Sequence, residues 1–404
     1  MRLSFIFIYL SFTVSAKKHK ANRTRSESES LEYFALPSTL LDFRGNVRKL
    51  FALEAALLDH ARNMVCSPLS VLMPLGKLTL GSKEKSQKEL LRALGLDSRK
   101  QIENAFSNLI SSMEYLPGVH LDVASRLYIN AKHEVNHKFM RRTKRIFKSS
   151  CEIISAGDPV AAARSINDWV YQKTRQKING IIRPADITRD TSMILVNAIY
   201  FAGTWENKFR RSYQGDFHSP AGKRRIPMMS RQGEYNYRKC DILNAQIIEI
   251  PYKGGECSMI IVLPYSDSGL SILLRALKRD PELLNDALEK MRSSNVILSM
   301  PKFKIESEFD LRSIFKKLGV RTIFDPDTSG LTRIIDDETV YVTKAIHKAI
   351  IEVDETGTEA AAATGIQVSA VSAILNQPIF HANRPFMFYI TFSREQLFAG
   401  VFSG

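Results

Sequence analysis

Ala349-Ile350-Ile351-Glu352-Val353-Asp354-Glu355-Thr356-Gly357-Thr358-Glu359-Ala360-Ala361-Ala362-Ala363-Thr364-Gly365 runs from a β-type segment straight into a tract of small residues. Read with a period of two, Thr358, Ala360, Ala362, Thr364, Ile366 and Val368 share one face, and Glu359, Ala361, Ala363, Gly365, Gln367 and Ser369 share the other. One face can be buried while the other stays wet. Propensity taken alone favours a helix, because alanine is the best helix former and Gly365 would end it. The surrounding strand signals favour an extended reading.

Upstream, residues 340–354 form a long strand candidate that leads into this tract. Downstream, 386–392 and 397–402 make a final strand pair that buries the C-terminus in a sheet. Residues 193–201 are apolar on both faces, as in a central strand covered on both sides. Residues 246–252 and 258–264 read as a hairpin across Lys253-Gly254-Gly255-Glu256. Earlier in the chain, Ser67-Pro68 is a helix start, with Pro74 expected to interrupt that helix. Helices are predicted over 84–94, closed by Gly95, and over 101–115, with a half-buried strand over 121–130. Asn136 caps a helix with core face Phe139, Met140, Thr143, Ile146 and Phe147, and Asp158-Pro159 opens another running toward Ile178. The pattern is mixed α/β, with helices concentrated in the first half and strands in the second.

The chain ends bound the setting. One positive charge at Arg2, an apolar stretch from Leu3 to Val14 and small residues at Val14-Ser15-Ala16 read as a secretory signal over 1–16. Residues 17–35 are expected to be a basic disordered tail, with a glycosylation acceptor at Asn22, and 36–404 a single domain. The segment over 1–16 is too short to span a bilayer, so the mature chain is expected to be secreted, extracellular and without a membrane anchor. A formal net charge of +15 favours polyanionic partners. Nucleic acid is not expected, since no recognition module is present. Four cysteines, Cys66, Cys151, Cys240 and Cys257, allow three full pairings but are too few for a disulfide scaffold. With 44% hydrophobic residues the core comes from burial instead.

Catalytic constellations are sparse. His133-Glu134-Val135-Asn136-His137 has the H-E-x-x-H spacing of zinc proteases, but that chemistry needs both histidines on one helix face. With Asn136 as the cap, His133 falls outside the helix, so no metal and no cofactor are expected. There is no G-x-S-x-G elbow and no phosphate-binding glycine loop. His347 lies on the face of Ala345, Ala349 and Ile351, where a lone histidine is most often a satisfied core residue. Lys138, Arg141, Arg142 and Arg145, with Lys148 beyond, form a cationic stripe suited to heparin-like glycans, although a solvated face is the commoner meaning of such a pattern.

The chain resembles the serpins, the suicide-substrate inhibitors of serine proteases. The resemblance runs from about Ser38 to Gly404 and rests on Asn197-Ala198-Ile199-Tyr200-Phe201-Ala202-Gly203-Thr204-Trp205, the 349–360 segment quoted above and Ala382-Asn383-Arg384-Pro385-Phe386. It implies three β-sheets, about nine helices and an exposed reactive loop over about 355–378, which after cleavage inserts into the central sheet. That insertion is a property of the family and not a deduction from these residues. The implied hinge is Glu355, Gly357, Thr358, Glu359, Ala360, Ala361, Ala362, Ala363 and Thr364, and the implied scissile bond is Val371-Ser372, or one near Ile374-Leu375 if the loop is of the shorter kind. Valine after Ala370 suits an elastase-like target. Ser67, Ser70, Asn197 and His347 match the family's shutter, and Thr204 and Trp205 match its breach, where insertion begins.

The implied activity is inhibition by a monomer that traps a serine protease covalently, not enzyme catalysis. A non-inhibitory carrier or chaperone of the same family is the alternative, and a zinc protease is the reading from another class. Pro74 and Gly76 depart from the family's usual helix formers, and the segment over 101–116 lacks the basic cluster that often binds heparin.

Overall fold

The computed structural model describes residues 62–114, 116–149, 151–335, 340–356, 377–392 and 395–404. The expected signal and tail, Asn22, the hinge positions 357–364 and the bond Val371-Ser372 lie outside the described residues.

The described strands are β1 (Met64–Cys66), β2 (Val119–Asn130), β3 (Cys151–Ile154), β4 (Met193–Gly203), β5 (Arg211–Ser219), β6 (Gly222–Cys240), β7 (Ala245–Pro251), β8 (Cys257–Pro264), β9 (Arg292–Pro301), β10 (Phe303–Asp310), β11 (Val342–Val353), β12 (Ile379–His381), β13 (Phe386–Phe392) and β14 (Glu395–Phe402). The helices are α1 (Pro68–Gly81), α2 (Glu84–Leu94), α3 (Arg99–Met113), α4 (His137–Phe147), α5 (Pro159–Lys173), α6 (Leu270–Arg279), α7 (Glu282–Glu289) and α8 (Leu311–Lys317). One sheet has five strands in the order β10-β11-β4-β2-β3. The other nine described strands are continuous through β6, which pairs with β5 over 222–230, with β9 over 228–237 and with β7 over 236–240. They therefore form two sheets that share one long strand, three sheets in all.

The apolar run of β4 has its cause in burial on both faces. Leu195, Ile199 and Phe201 face the main core between the sheets, while Ile194, Val196, Ala198 and Tyr200 pack under Ile166 and Val170 of α5. Every residue of β4 is buried.

Helix ends follow the capping signals. Gly95 closes α2 in the left-handed region at φ 70°, a conformation that costs glycine little. Asn136 caps α4 by accepting from the N–H groups of Lys138 and Phe139, which leaves His133 outside the helix, buried beside Ser192. The helix opened by Asp158 stops at Lys173, short of the expected Ile178, because Arg175 and Gln176 both turn into the left-handed region.

The largest departure is α1, which runs unbroken through Pro74 with every residue buried. A β-carbon at Gly76 would lie 2.5 Å from Phe106 Cε2 and 2.9 Å from Phe147 Cζ, so the glycine lets two rings press against the helix backbone. All four cysteines are buried free thiols, and burial pushes Cys151 and Cys257 up to about 12.

Candidate functional site at a parallel seam

β11 and β4 pair in parallel, with His347 opposite Asn197. All other pairings in the five-stranded sheet are antiparallel except that of the short edge strand β3 with β2. The seam therefore joins two strands that are distant in sequence and have no hairpin between them.

At its middle, polar groups replace the dry core. Ser67 at the α1 N-cap accepts from the Ser70 N–H at 3.1 Å through its hydroxyl oxygen and donates that hydroxyl to Leu397 O at 2.7 Å. The Ser67 N–H donates to His347 Nε2 at 3.2 Å, so this nitrogen is the acceptor and the ring is neutral. Burial pushes His347 down to about 3, with the backbone of Asn197 opposing that shift. The Ser70 hydroxyl donates to Asn197 Oδ1, and Asn197 Nδ2 donates to the Ser70 carbonyl. The four residues implied for the shutter, Ser67, Ser70, Asn197 and His347, are thus one connected network linking α1 to both strands of the seam.

Pro74 belongs to this network although it makes none of its bonds. In an uninterrupted helix the N–H of residue 74 would donate to the carbonyl of residue 70, and proline has no N–H. The orphaned Ser70 carbonyl is the one that Asn197 occupies. The expected interruption fails because a side chain from β4, 127 positions after Ser70, takes the missing donor's place.

At the end of the seam, the residues implied for the breach meet the implied hinge. Trp205 stacks on Tyr252 at 4.4 Å and edges Phe209 at 5.8 Å. Its indole N–H donates to Asp354 O at 2.7 Å and its backbone N–H to Thr356 O at 3.0 Å, while the Phe209 N–H donates to Glu355 O at 2.9 Å. Thr204 donates its N–H to Gly118 O at 2.8 Å, tying β4 to the turn before β2. Glu355 pairs with Lys302 at 2.8 Å. Burial acts to raise the Glu355 carboxyl, but hydrogen bonds led by the one from Lys302 outweigh it and hold the group below its ordinary range.

The outer face carries a strap that no sequence pattern foreshadows. After α5 the chain crosses the seam, and Lys177 pairs with Glu352 of β11 at 3.2 Å, Asn179 O accepts from Lys348 Nζ at 3.1 Å, and Asp186 pairs with Lys344.

A second unforeseen residue is Lys77 of α1, fully buried with Nζ 2.6 Å from Ser125 O and 5.6 Å from the Phe147 ring centroid. Burial pushes it down to about 7. A single lysine inside the apolar run Leu72–Leu80 was the available signal.

The cationic stripe lies on the outer face of α4, but it is partly neutralised. Glu103 of α3 takes Arg142 Nε at 2.8 Å and Arg145 Nη2 at 2.6 Å, and Lys148 is 3.7 Å from Glu114. Lys138 and Arg141 are exposed.

Among the described residues no group of three or more His, Cys, Asp or Glu side chains is placed to hold a metal ion. No helix of the described residues is long and apolar enough to cross a membrane.

Known proteins share this fold. Residues 49–403 match the family model described as Serpin (serine protease inhibitor). The chain is 39% identical over 348 residues to antichymotrypsin-2 of Bombyx mori, covering 85% of this chain and 92% of that one. Among solved structures, Serpin48 of Tenebrio molitor superposes with a TM-score of 0.80 at 28% identity, covering 93% of this chain and 99% of that one. Native protease nexin-1 with heparin gives 0.81 at 25% identity, covering 91% and 100%. The chain belongs to the serpin family.

Proposed function

We propose that the protein is a secreted inhibitor of serine proteases that acts as a suicide substrate, with Val371-Ser372 as the bait bond. A target protease attacks this bond and forms an acyl-enzyme. The segment from Glu355 onward then enters between β4 and β11 as a new strand and carries the enzyme with it. Displacement of the enzyme distorts its oxyanion hole before water can release the acyl group. The observation that carries this reading is the meeting of three features at one place: the parallel β4–β11 seam, the Trp205 and Phe209 bonds to residues 354–356 at its end, and the small-residue sequence that leaves from there.

Entry must outrun hydrolysis, and Thr358, Ala360 and Ala362, the positions that would face inward, are small and neither charged nor proline. Valine at 371 after Ala370 favours an elastase-like enzyme. The signal over 1–16 and the acceptor at Asn22 support an extracellular glycoprotein, and action as a monomer is part of the proposal. For heparin-like glycans, the likeness to protease nexin-1 with heparin is the support, with Lys138 and Arg141 as the least neutralised part of the α4 stripe.

Incubation with an elastase should give an SDS-stable complex and release a peptide beginning at Ser372. Cleavage without any stable complex across elastase-, chymotrypsin- and trypsin-like enzymes would remove the inhibitory reading. A peptide beginning at another residue would move the bond and leave the mechanism intact.

A further inference from the structure

The β5–β6 hairpin carries a second concentration of positive charge besides that of α4. Between residues 208 and 225 the chain has Lys208, Arg210, Arg211, Lys223, Arg224 and Arg225 against a single carboxylate, Asp216. All six cations are exposed. Lys223 pairs with Asp216 at 2.9 Å and Arg225 donates to Gln214 O at 3.0 Å. Lys208, Arg210, Arg211 and Arg224 have no carboxylate within ion-pairing distance among the described residues. The register places the cations in two groups, Lys208, Arg210 and Arg211 at the open end of the hairpin and Lys223, Arg224 and Arg225 beside its turn, and only the second group has a described carboxylate, Asp216, beside it.

The position of the hairpin is as informative as its charge. Phe209, two residues before β5, donates its N–H to Glu355 O, and Thr356 is the last described residue before the bait segment. Gln377 is the first described residue after it, and its side-chain oxygen accepts from Gln232 Nε2 of β6 at 3.0 Å. Arg231 of β6 closes the base by donating to Lys208 O and Asn207 Oδ1, each at 3.0 Å. Farther along, the His218 N–H of β5 donates to Asn383 O at 2.8 Å. Both ends of the bait segment are therefore bonded to the elements that carry these cations, so an enzyme docked on the bait approaches the hairpin.

We propose that the β5–β6 hairpin is a second docking surface that selects target proteases by an acidic patch flanking their active-site cleft. This rests on the inhibitory reading above and deepens it. The bait sequence sets which bond fits the catalytic pocket, and the hairpin sets which of the enzymes with that pocket arrives fastest. Complementary charge beside a reaction site acts mainly on the rate of encounter and weakens with salt.

The test compares the native protein with the variant Arg210→Glu/Arg211→Glu/Arg224→Glu, and with the corresponding Gln variant as a milder control on folding. Second-order rates of covalent complex formation are measured with two elastases of opposite net surface charge, at about 0.05 M and about 0.5 M NaCl. The native protein should favour the acidic elastase at low salt and lose that advantage at high salt. The Glu variant should react about tenfold more slowly with the acidic enzyme and at least as fast with the basic one, at unchanged stoichiometry, with the Gln variant between. Complex formed at equal rates by all three proteins would overturn the docking surface and leave the inhibitory reading standing. A rate loss seen only when heparin is added would reassign the hairpin to a sulfated glycan and overturn the proposal equally. If the native protein forms no covalent complex with either elastase or with chymotrypsin- and trypsin-like enzymes, both readings fall together.

Discussion

The β4–β11 seam and the antiparallel body behind it differ in what fills them. Between β10, β13 and β14 the contacts are aromatic: Phe303 lies 5.0 Å from Phe402 and 5.5 Å from Phe388, and Phe386 lies 5.4 Å from Phe402. A β-carbon at Gly400 would come within 2.3 Å of the Phe388 ring, so there is no slack. The seam instead has serines, an asparagine and a neutral histidine at its centre, each bonded to a particular partner. Apolar packing loses energy steadily as surfaces part, whereas a polar network holds one arrangement well and gives way once its bonds are exchanged. The body is suited to remain intact while the seam parts, which is what loop entry requires.

Substitutions that separate the two regions should have unequal consequences. Phe388→Ala should cost about 3–5 kcal/mol in denaturant unfolding through the cavity it leaves, with little change in the ratio of trapped to escaping protease. A large shift in that ratio would mean that the two regions are not separable.

Asn197→Ala should cost about 1–3 kcal/mol, because with Pro74 present no backbone donor replaces it at the Ser70 carbonyl. In a Pro74→Ala background the helix regains its own donor, and the same Asn197→Ala change should cost at least about 1 kcal/mol less. Equal costs in both backgrounds would show that the proline and the asparagine are independent.

Lys77→Met should raise stability by about 1–3 kcal/mol at pH 7, since Ser149 Oγ also donates to Ser125 O, at 2.6 Å, and keeps it satisfied. The sign with pH follows from burial. The folded state holds Lys77 at about 7, below the unfolded value, so between those two values the unfolded chain binds the extra proton and native stability rises with pH. The advantage of the methionine variant should therefore shrink from pH 7 toward pH 10, and an advantage constant with pH would place the lysine in water.

Much of this was legible in the sequence, for reasons that differ by element. The cap at Asn136, the glycine stop at Gly95 and the two-faced burial of β4 are written within a few neighbouring residues. The shutter and breach residues came from motif likeness, and the structure brings them together through bonds spanning hundreds of positions. What sequence reading missed is tertiary compensation. Nothing near Pro74 announces Asn197, and nothing on α4 announces that Glu103, 39 positions away from Arg142, neutralises part of the stripe. The hairpin cations stand in the sequence as two short groups, 208–211 and 223–225, and their meaning depends on the bonds that join the hairpin to both ends of the bait.

On the inhibitory reading proposed above, trapping requires β4 and β11 to separate. Ala198 and Lys348 are register partners across the seam, so the variant Ala198→Cys/Lys348→Cys can be closed by oxidation and reopened by reduction. Formation of the bond is verified by mass before the protein is mixed with an elastase that cleaves the bait. The oxidised protein should be cut at the bait and release the enzyme without a covalent complex, and the reduced protein should trap it. Equal trapping in both states would contradict the account, because the loop would then have to be accommodated without opening the seam.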